Sequence, residues 1–428
     1  MEHLLFVAYL VLFAWLVTKV KFFRNSGLTN PQLVILFLLK VLAGIFYGWI
    51  GIYYGQMAQM VDTWAYHVES IQQYHLLQTH PLDFFTDLFH TSYQGGYGNF
   101  LTTHDSWWND VKANFLIKVM ALFNLFSFAH YYVNVIFYSF ITLFGPVAIY
   151  RVMQNVFPSR RYAVLVACFL LPSFLYWTSG LHKEGLIFLG LALMIYHFYF
   201  GFKENKFPIY RIFLIILGFL LVLILRNFLV LALIPPLCSW AIASKTRLKP
   251  AWVYLVTCAF FIFLFFSAKY INPALDFPQA TVVKQQEFLK LVGGGSAIEV
   301  NPLVPSFKGF LINAPQALSM TVLRPYPSDV KHLLSLAAAV EIDFFLLLFL
   351  IFLVGKKKET RMNPFILFCL SLSFAILMMV GYTVDILGAI VRYRSIVLPF
   401  LIVPMVAQID WTRMYRLVFS NINQENNI

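Results

Sequence analysis

The stretch IYRIFLIILGFLLVLILRNFLVLALIPPLCSWAIA, residues 209–243, decides the fold class. Its only charges are Arg211 near one end and Arg226 in the middle, so it reads as two apolar helices, 209–225 and 227–243, turning at Arg226. A bilayer core about 30 Å thick needs about 20 apolar residues per helix, and this stretch supplies two in succession. Working outward by the same rule gives further spans at 3–18, 33–54, 130–150, 162–178, 185–200, 251–269, 331–354, 363–381 and 395–409, eleven in all. The whole chain of 428 residues is 60% hydrophobic and only 12% charged, where soluble domains carry roughly 25% charged residues. The expected fold class is therefore all-α, a polytopic bundle of about 11 membrane spans forming a single transmembrane domain over 1–428.

The formal charge of +12 would suggest nucleic acid in a soluble chain, but here it sorts by side of the membrane. Lys and Arg gather in alternate connections: Lys19, Lys21 and Arg24; Arg151, Arg160 and Arg161; Lys203 and Lys206; Lys245, Arg247 and Lys249; Lys356, Lys357, Lys358 and Arg361; Arg413 and Arg416. Cytoplasmic connections are enriched in Lys and Arg, which puts the N-terminus outside and the tail 410–428 in the cytoplasm. These six segments hold 17 of the 31 basic residues, whereas the external side carries 12 basic residues against 13 acids. The excess is a topology signal, and no nucleic-acid partner is implied. The first span lacks a basic leader and a small-residue cleavage site, so it reads as retained.

The apolar run 113–129 does not fit the alternation: counted as a span, it would put the Arg151/Arg160/Arg161 connection outside. With Lys112, Lys118 and Asn124 it reads as a re-entrant or interfacial helix. Two external segments result, 55–129 with interfacial helices and 270–330, where Gly293, Gly294, Gly295 and Ser296 followed by prolines read as a flexible loop. No internal repeat is evident, which leaves the inverted-repeat signature of many secondary transporters unsupported.

Charge at membrane depth is costly and usually faces a cavity or a partner. The ionisable residues at the outer ends of spans all fall on one side: Asp62; His182, Lys183 and Glu184; Arg226; Arg324; and Asp385, Arg392 and Arg394. A carboxylate among guanidinium and ammonium groups suits an anionic lipid phosphate, with Arg giving bidentate contacts, Lys a point charge and the carboxylate a general base. Simpler roles stand beside these. Glu184 also suits the first turn of the next span, and Arg226 suits a snorkelling marker of the interface. Arg392 and Arg394 point the same way if VRYRS is extended.

Glu341 and Asp343 lie about 15 Å into their span at 1.5 Å per residue and are expected to be structural. The first external segment holds His67, His75, His80, His90 and His104 among Asp62, Asp83, Asp87, Asp105 and Asp110. A divalent cation can bind such a set, but no tight ligand spacing appears, so surface histidines of an interfacial helix are the simpler reading. Trp64, Trp107, Trp108, Tyr93 and Tyr97 suit either a sugar-stacking platform or an interfacial belt. Cys168, Cys238, Cys258 and Cys369 lie in apolar runs and read as core residues.

Four stretches carry a resemblance: VDTWAYH at 61–67, LPSFLYWTSGLHKEGLIFLGLAL at 171–193, LRPYPSDVKHLLSLAAAVE at 323–341 and VRYRSIVLPFLIVP at 391–404. With the span pattern and large first external loop, the chain resembles the GT-C type integral membrane glycosyltransferases and the related bacterial exopolysaccharide and O-antigen polymerases. The last stretch is similar to the GRYR-x-P segment near the C-terminal end of many such transferases, although Ala389, Ile390 and Val391 stand where its glycine is expected. An extra leading span is a second departure and leans toward the polymerase-like group.

The resemblance implies a GT-C-like fold, with Asp62 as catalytic base and Lys183, Arg324, Arg392 and Arg394 as contacts to a polyprenyl phosphate or pyrophosphate. His182, Glu184, Arg226 and Tyr393 join these as candidate substrate-binding residues. The implied activity is transfer of a sugar from a polyprenyl-phosphate-linked donor to a saccharide, lipid or protein acceptor at the outer face of a bacterial inner membrane, for cell-surface polysaccharide. No metal ligand and no certain cofactor is assigned. Polymerisation or ligation of lipid-linked repeats is the alternative, in which basic residues alone suffice; a transporter or flippase of an anionic lipid or sugar phosphate, or a scaffold, are others.

Overall fold

The computed structural model describes residues 2–53, 62–89, 107–291, 296–356 and 363–415. The described residues form helices, with two isolated β-bridges, Ala297 to Ile386 and Lys356 to Ile409, as the sole strand-like pairings among them. Eight helices are long and apolar enough to cross a membrane, and ten if each of two bent pairs is one span.

The chain opens with α1 (Glu2–Lys19) and α2 (Asn30–Tyr53). Next come α3 (Asp62–Thr79) and α4 (Trp107–Ser127), which pack on each other. All but the last two residues of the expected interfacial run 113–129 thus belong to a 21-residue helix outside the eight. α5 (Tyr131–Val156) is the most enclosed of the spans. The expected span 162–178 is broken into α6 (Arg161–Phe169) and α7 (Pro172–Ser179), which meet at 53°. Pro172 at the first turn of α7 explains the break, because proline has no N–H to give the preceding turn and biases its predecessor away from helix. α8 (Lys183–Glu204) follows and packs along α5 and α9 (Ile209–Leu225). At 17 residues, α9 is the shortest of the expected spans that form one unbroken helix.

α10 (Asn227–Lys245) and α11 (Pro250–Ser267) complete the middle of the bundle. The segment expected as a loop, 270–330, instead holds α12 (Phe277–Leu289) and α13 (Phe307–Val322); Gly293, Gly294 and Gly295 lie outside the described residues, as do His90, Tyr93, Tyr97, His104 and Asp105. α14 (Leu333–Gly355) and α15 (Pro364–Thr383) are the last unbroken spans, and α16 (Leu387–Ser395) and α17 (Leu398–Gln408) meet at 61°.

The two ends of the half-helix α7 are tied to neighbouring spans by ionisable residues. At its start the Ser173 amide donates to Glu341 Oε1 on α14 at 2.9 Å. At its end Lys40 Nζ on α2 donates to the Thr178 carbonyl at 2.7 Å and the Ser179 hydroxyl at 3.3 Å. An anion at a helix N-terminus and a cation at its C-terminus both complement the helix dipole. The turn that follows is pinned as well: Thr63 Oγ1 on α3 donates to the Leu181 carbonyl at 3.1 Å, and the Tyr138 hydroxyl on α5 donates to the His182 carbonyl.

α2 approaches this turn so closely that a Cβ at Gly44 would lie 2.6 Å from the Ser179 carbonyl oxygen and 2.6 Å from Val135 Cγ1. Gly388 has nothing within 4 Å of such a Cβ. Gly44→Ala is expected to destabilise by about 1–3 kcal/mol through overpacking, while Gly388→Ala leaves stability nearly unchanged. Thermal unfolding in detergent measures both, and equal shifts in Tm would contradict the close packing.

Candidate functional site

A cavity of about 810 Å3 lies where α2, α3, α7, α8, α12, α14 and α16 converge. Its lining has two characters. One arm is apolar, built by Ala43 and Phe46 of α2, Leu175 of α7, and Leu334, Ala337 and Ala338 of α14. Positions 334, 337, 338 and 341 repeat at the helical period, so one face of α14 looks into the cavity. The other arm carries Asp62, His182, Lys183, Arg226, Arg392 and Tyr393, with Lys112 and Lys284 beside them.

Behind this polar arm sits Glu184, fully enclosed. Its Oε1 accepts from Arg226 Nη2 at 2.7 Å and lies 3.5 Å from Arg392 Nε. Its Oε2 faces His182 Nδ1. The same imidazole presents Nε2 to Asp62 Oδ2 at 3.4 Å, and Arg392 Nη1 reaches that Asp62 oxygen at 3.3 Å. The two carboxylates are therefore bridged by one histidine and one arginine. Asp62 differs from Glu184 in exposure: its side chain is 47% exposed and opens into the cavity.

Of the residues expected from sequence, the cavity brings together Asp62, His182, Lys183, Arg226, Arg392 and Tyr393. Arg226 is buried in its ion pair rather than snorkelling, and its guanidinium carbon lies 3.8 Å from the centre of the Tyr393 ring. Arg392 uses the same ring at 5.1 Å and donates to its hydroxyl at 3.3 Å. Glu184 supports the cavity from behind without lining it.

Two of the expected phosphate contacts do not reach the cavity. VRYRS is helical rather than extended, and residues two apart on an α-helix point roughly 200° apart at 3.6 residues per turn. Arg394 therefore turns away from Arg392 and is buried, donating Nη1 to the carbonyls of Thr321 and Arg324 at 3.0 and 2.7 Å. Arg324 itself lies over Tyr326 and pairs with Asp329 at 3.7 Å, outside the lining. Glu341 lines the apolar arm while capping α7, and Asp343 is exposed on α14 away from the cavity.

Lys112 and Lys284 are among the lining residues that the sequence reading overlooked, together with Tyr66, Glu287, Asp329, Lys331 and His332. Lys284, Glu287, Phe288 and Leu291 all line the cavity, at the i, i+3, i+4 and i+7 spacing of one helical face. Burial lowers Lys112 to about 8, helped by the nearby charges of Lys284 and Arg226. Burial likewise lowers Lys284 to about 8, with Arg226 pushing the same way and Glu287 opposing. Asp62 moves in the other sense. Its partial burial would raise the carboxyl, but the His182 hydrogen bond and the charges of Arg392 and Lys183 hold it well below the usual carboxylate range.

The donor set does not suit a divalent cation. Asp62 is surrounded by Arg392, Lys183 and His182, and both Glu184 oxygens are already engaged. Among the described residues no group of three or more His, Cys, Asp or Glu side chains is placed to hold a metal ion. His67 is packed against the Trp64 and Tyr131 rings. The chain matches no protein-family model, no curated protein and no solved structure.

Removing one partner of a buried charge network strands the others, at about 3–5 kcal/mol. Glu184→Leu is expected to destabilise by an amount in that range, because Arg226 and Arg392 lose their shared carboxylate. The double variant Glu184→Leu/Arg226→Leu is expected to recover part of the loss. A double-mutant cycle on unfolding in detergent checks this, and strictly additive losses would contradict the coupling.

Proposed function

We propose that the chain is an inverting glycosyltransferase that takes its sugar from a polyprenyl-phosphate-linked donor at the outer face of a bacterial inner membrane. The observation that carries this reading is the shared cavity: a partly exposed carboxylate, Asp62, opens beside Lys183 and Arg392, and the same cavity continues into an apolar arm. The arm suits the first isoprene units of a lipid and the cations suit its phosphate. The carboxylate suits the acceptor hydroxyl.

The acceptor oxygen attacks the anomeric carbon as the bond from that carbon to the phosphate oxygen breaks, and the acceptor proton passes to Asp62. Negative charge grows on the departing phosphate, where Arg392 and Lys183 stabilise it. A carboxylate held ionised by adjacent cations is a poor base at rest. Phosphate binding draws Arg392 and Lys183 toward the ligand and raises the basicity of Asp62, so the base is strengthened when donor is present.

The apolar arm favours transfer over transport. A transporter of charged cargo wants several ionisable residues at mid-depth facing the pathway, whereas of the two mid-depth acids of α14 Glu341 lines the cavity, with Oε1 accepting from the Ser173 amide, and Asp343 faces outward.

Purified protein with a polyprenyl-phosphate sugar is expected to release the carrier lipid when an acceptor is supplied. Asp62→Asn is expected to slow turnover about 10²–10⁴-fold, the usual contribution of a general base, with donor binding retained. Arg392→Ala weakens donor binding and turnover together. Substantial turnover by Asp62→Asn would favour the polymerase or ligase alternative, in which the basic groups act without a carboxylate base.

A further inference from the structure

We infer that the acceptor of the transfer is an acidic saccharide, whose carboxylate is held between Lys112 and Lys284. This rests on the transferase reading above and specifies the acceptor.

The first observation is a pair of cations without a counter-ion. Lys112 stands in the first turns of α4 and Lys284 in the middle of α12, two helices that are not among the spans, and both line the cavity. Neither makes a hydrogen bond or an ion pair among the described residues, and neither ammonium group is enclosed. Lys284 is only 7% exposed, with Nζ 4.9 Å from the centre of the Phe228 ring and 5.4 Å from that of Phe288. A charge so placed is costly when it has no partner, and the cavity is the side from which one can come.

The second observation is the charge of the whole lining. Six basic side chains line the cavity: Lys112, Lys183, Arg226, Lys284, Lys331 and Arg392. Four acids line it as well, of which Asp329 is already paired with Arg324 outside the lining. Asp62, Glu287, Glu341 and the enclosed Glu184 then stand against the six, which leaves a formal excess of two positive charges. A sugar phosphodiester carries one negative charge and takes up half of that excess. The remainder suits one carboxylate, whereas a phosphate monoester, with up to two charges, would exceed it. Contacts place this remainder at the lysine pair, because Glu184 and Asp62 hold Arg226 and Arg392 and Lys331 leads into α14, the helix of the apolar arm.

The third observation is the order of the charges. His182, Arg392 and Lys183 act on Asp62, whereas Lys284 and Arg226 act on Lys112. Lys183 stands between the two groups, under the influence of both Lys112 and Asp62. An acceptor whose hydroxyl meets Asp62 therefore extends past Lys183 to bring an acidic group to the lysine pair. Phe228 and Phe288 line the cavity there, and aromatic walls with a few placed charges suit a saccharide better than a bare anion.

The carboxylate keeps its charge through the reaction. The bond from anomeric carbon to phosphate oxygen breaks, the acceptor hydroxyl oxygen bonds to that carbon, its proton goes to Asp62, and the lipid phosphate leaves with one more negative charge.

The full-length protein in nanodiscs, with farnesyl phosphate saturating, is titrated by ligand-observed NMR with cellobiose, with its uronic acid and with inorganic phosphate. The acid is expected to bind at least about ten-fold more tightly than cellobiose, as one or two charge-assisted hydrogen bonds allow. Lys112→Gln and Lys284→Gln are expected to cut this preference several-fold, Lys284→Arg keeps it, and Lys284→Glu turns it toward the disaccharide of glucosamine. Each preference is a ratio within one sample, so partial unfolding of a variant cancels. A wild-type ratio near one, or a ratio that neither glutamine variant moves, overturns the inference. Mutual exclusion of the acid and farnesyl phosphate also overturns it and returns both lysines to the lipid phosphate. Inorganic phosphate binding as tightly as the acid would reassign the pair to a small anion and overturn the saccharide assignment. If farnesyl phosphate binds and Arg392→Gln abolishes its binding, the transferase reading survives any of these failures. Failure of farnesyl phosphate to bind sinks the transferase reading, and the acceptor role with it.

Discussion

A carboxylate with no access to water dictates the architecture of this cavity. Moving such a group from water into a low-dielectric interior costs several kcal/mol even after relaxation, and Glu184 can be ionised where it sits only because cations and donors surround it. They arrive from three places in the chain: His182 from the turn before α8, Arg226 from the turn between α9 and α10, and Arg392 from α16. Each is consequently held in one orientation. His182 and Arg392 extend that order outward to Asp62, the carboxylate that meets the cavity. The buried acid organises the exposed one.

The second requirement is a backbone that can stop within the membrane. Irregular backbone at that depth is tolerated where protein or a cavity covers it, because no water is available to satisfy the freed polar groups. The break at Leu170 and Leu171 and the turn at Gly180 leave both ends of the eight-residue α7 short of partners. Glu341 supplies an acceptor at one end and Lys40 a donor at the other. Those two residues, buried in apolar spans, have ordinary structural work that places Ser179 to Glu184 at the head of the cavity. Gly180 is required at this point for space: a Cβ there would lie 2.3 Å from a Tyr47 ring carbon.

Much of this was legible in the sequence because membranes impose simple rules. Apolar length located the apolar helices, of which eight, or ten with each bent pair counted once, are long enough to cross a membrane against the eleven expected, and a polar residue at the end of a span had to have a partner. That logic picked out Asp62, the SGLHKE turn, Arg226 and Arg392, all of which meet. It erred on Arg394 and Arg324 because charge at a span end does not state direction; the helical state of 387–395 turns Arg394 toward backbone carbonyls. It passed over Lys112 and Lys284 because they lie in segments of ordinary polarity, where a lysine needs no explanation. Only the packing of α4 and α12 around the cavity turns them inward. The break at Pro172 was readable in principle, but apolar length alone merges α6 and α7 into one span.

The proposed chemistry follows from the difference between the two carboxylates. Glu184 is enclosed by His182, Arg226 and Arg392 and has no open side. Asp62 shares Arg392 and His182 with it but has an open side, so its surroundings change when an anion arrives. A phosphate competes with Asp62 for the Arg392 guanidinium, and each contact it gains with Arg392 or Lys183 removes part of what holds the Asp62 carboxyl in its acidic range. In the proposed transfer the base is thereby coupled to the leaving group through shared cations. With donor absent, Asp62 remains an ion-paired carboxylate with little tendency to take a proton. In the proposed transfer, donor binding makes it the group that accepts a proton from the acceptor hydroxyl. Such coupling needs no moving lid, because the two functions are joined by side chains that Glu184 and Tyr393 already hold in place.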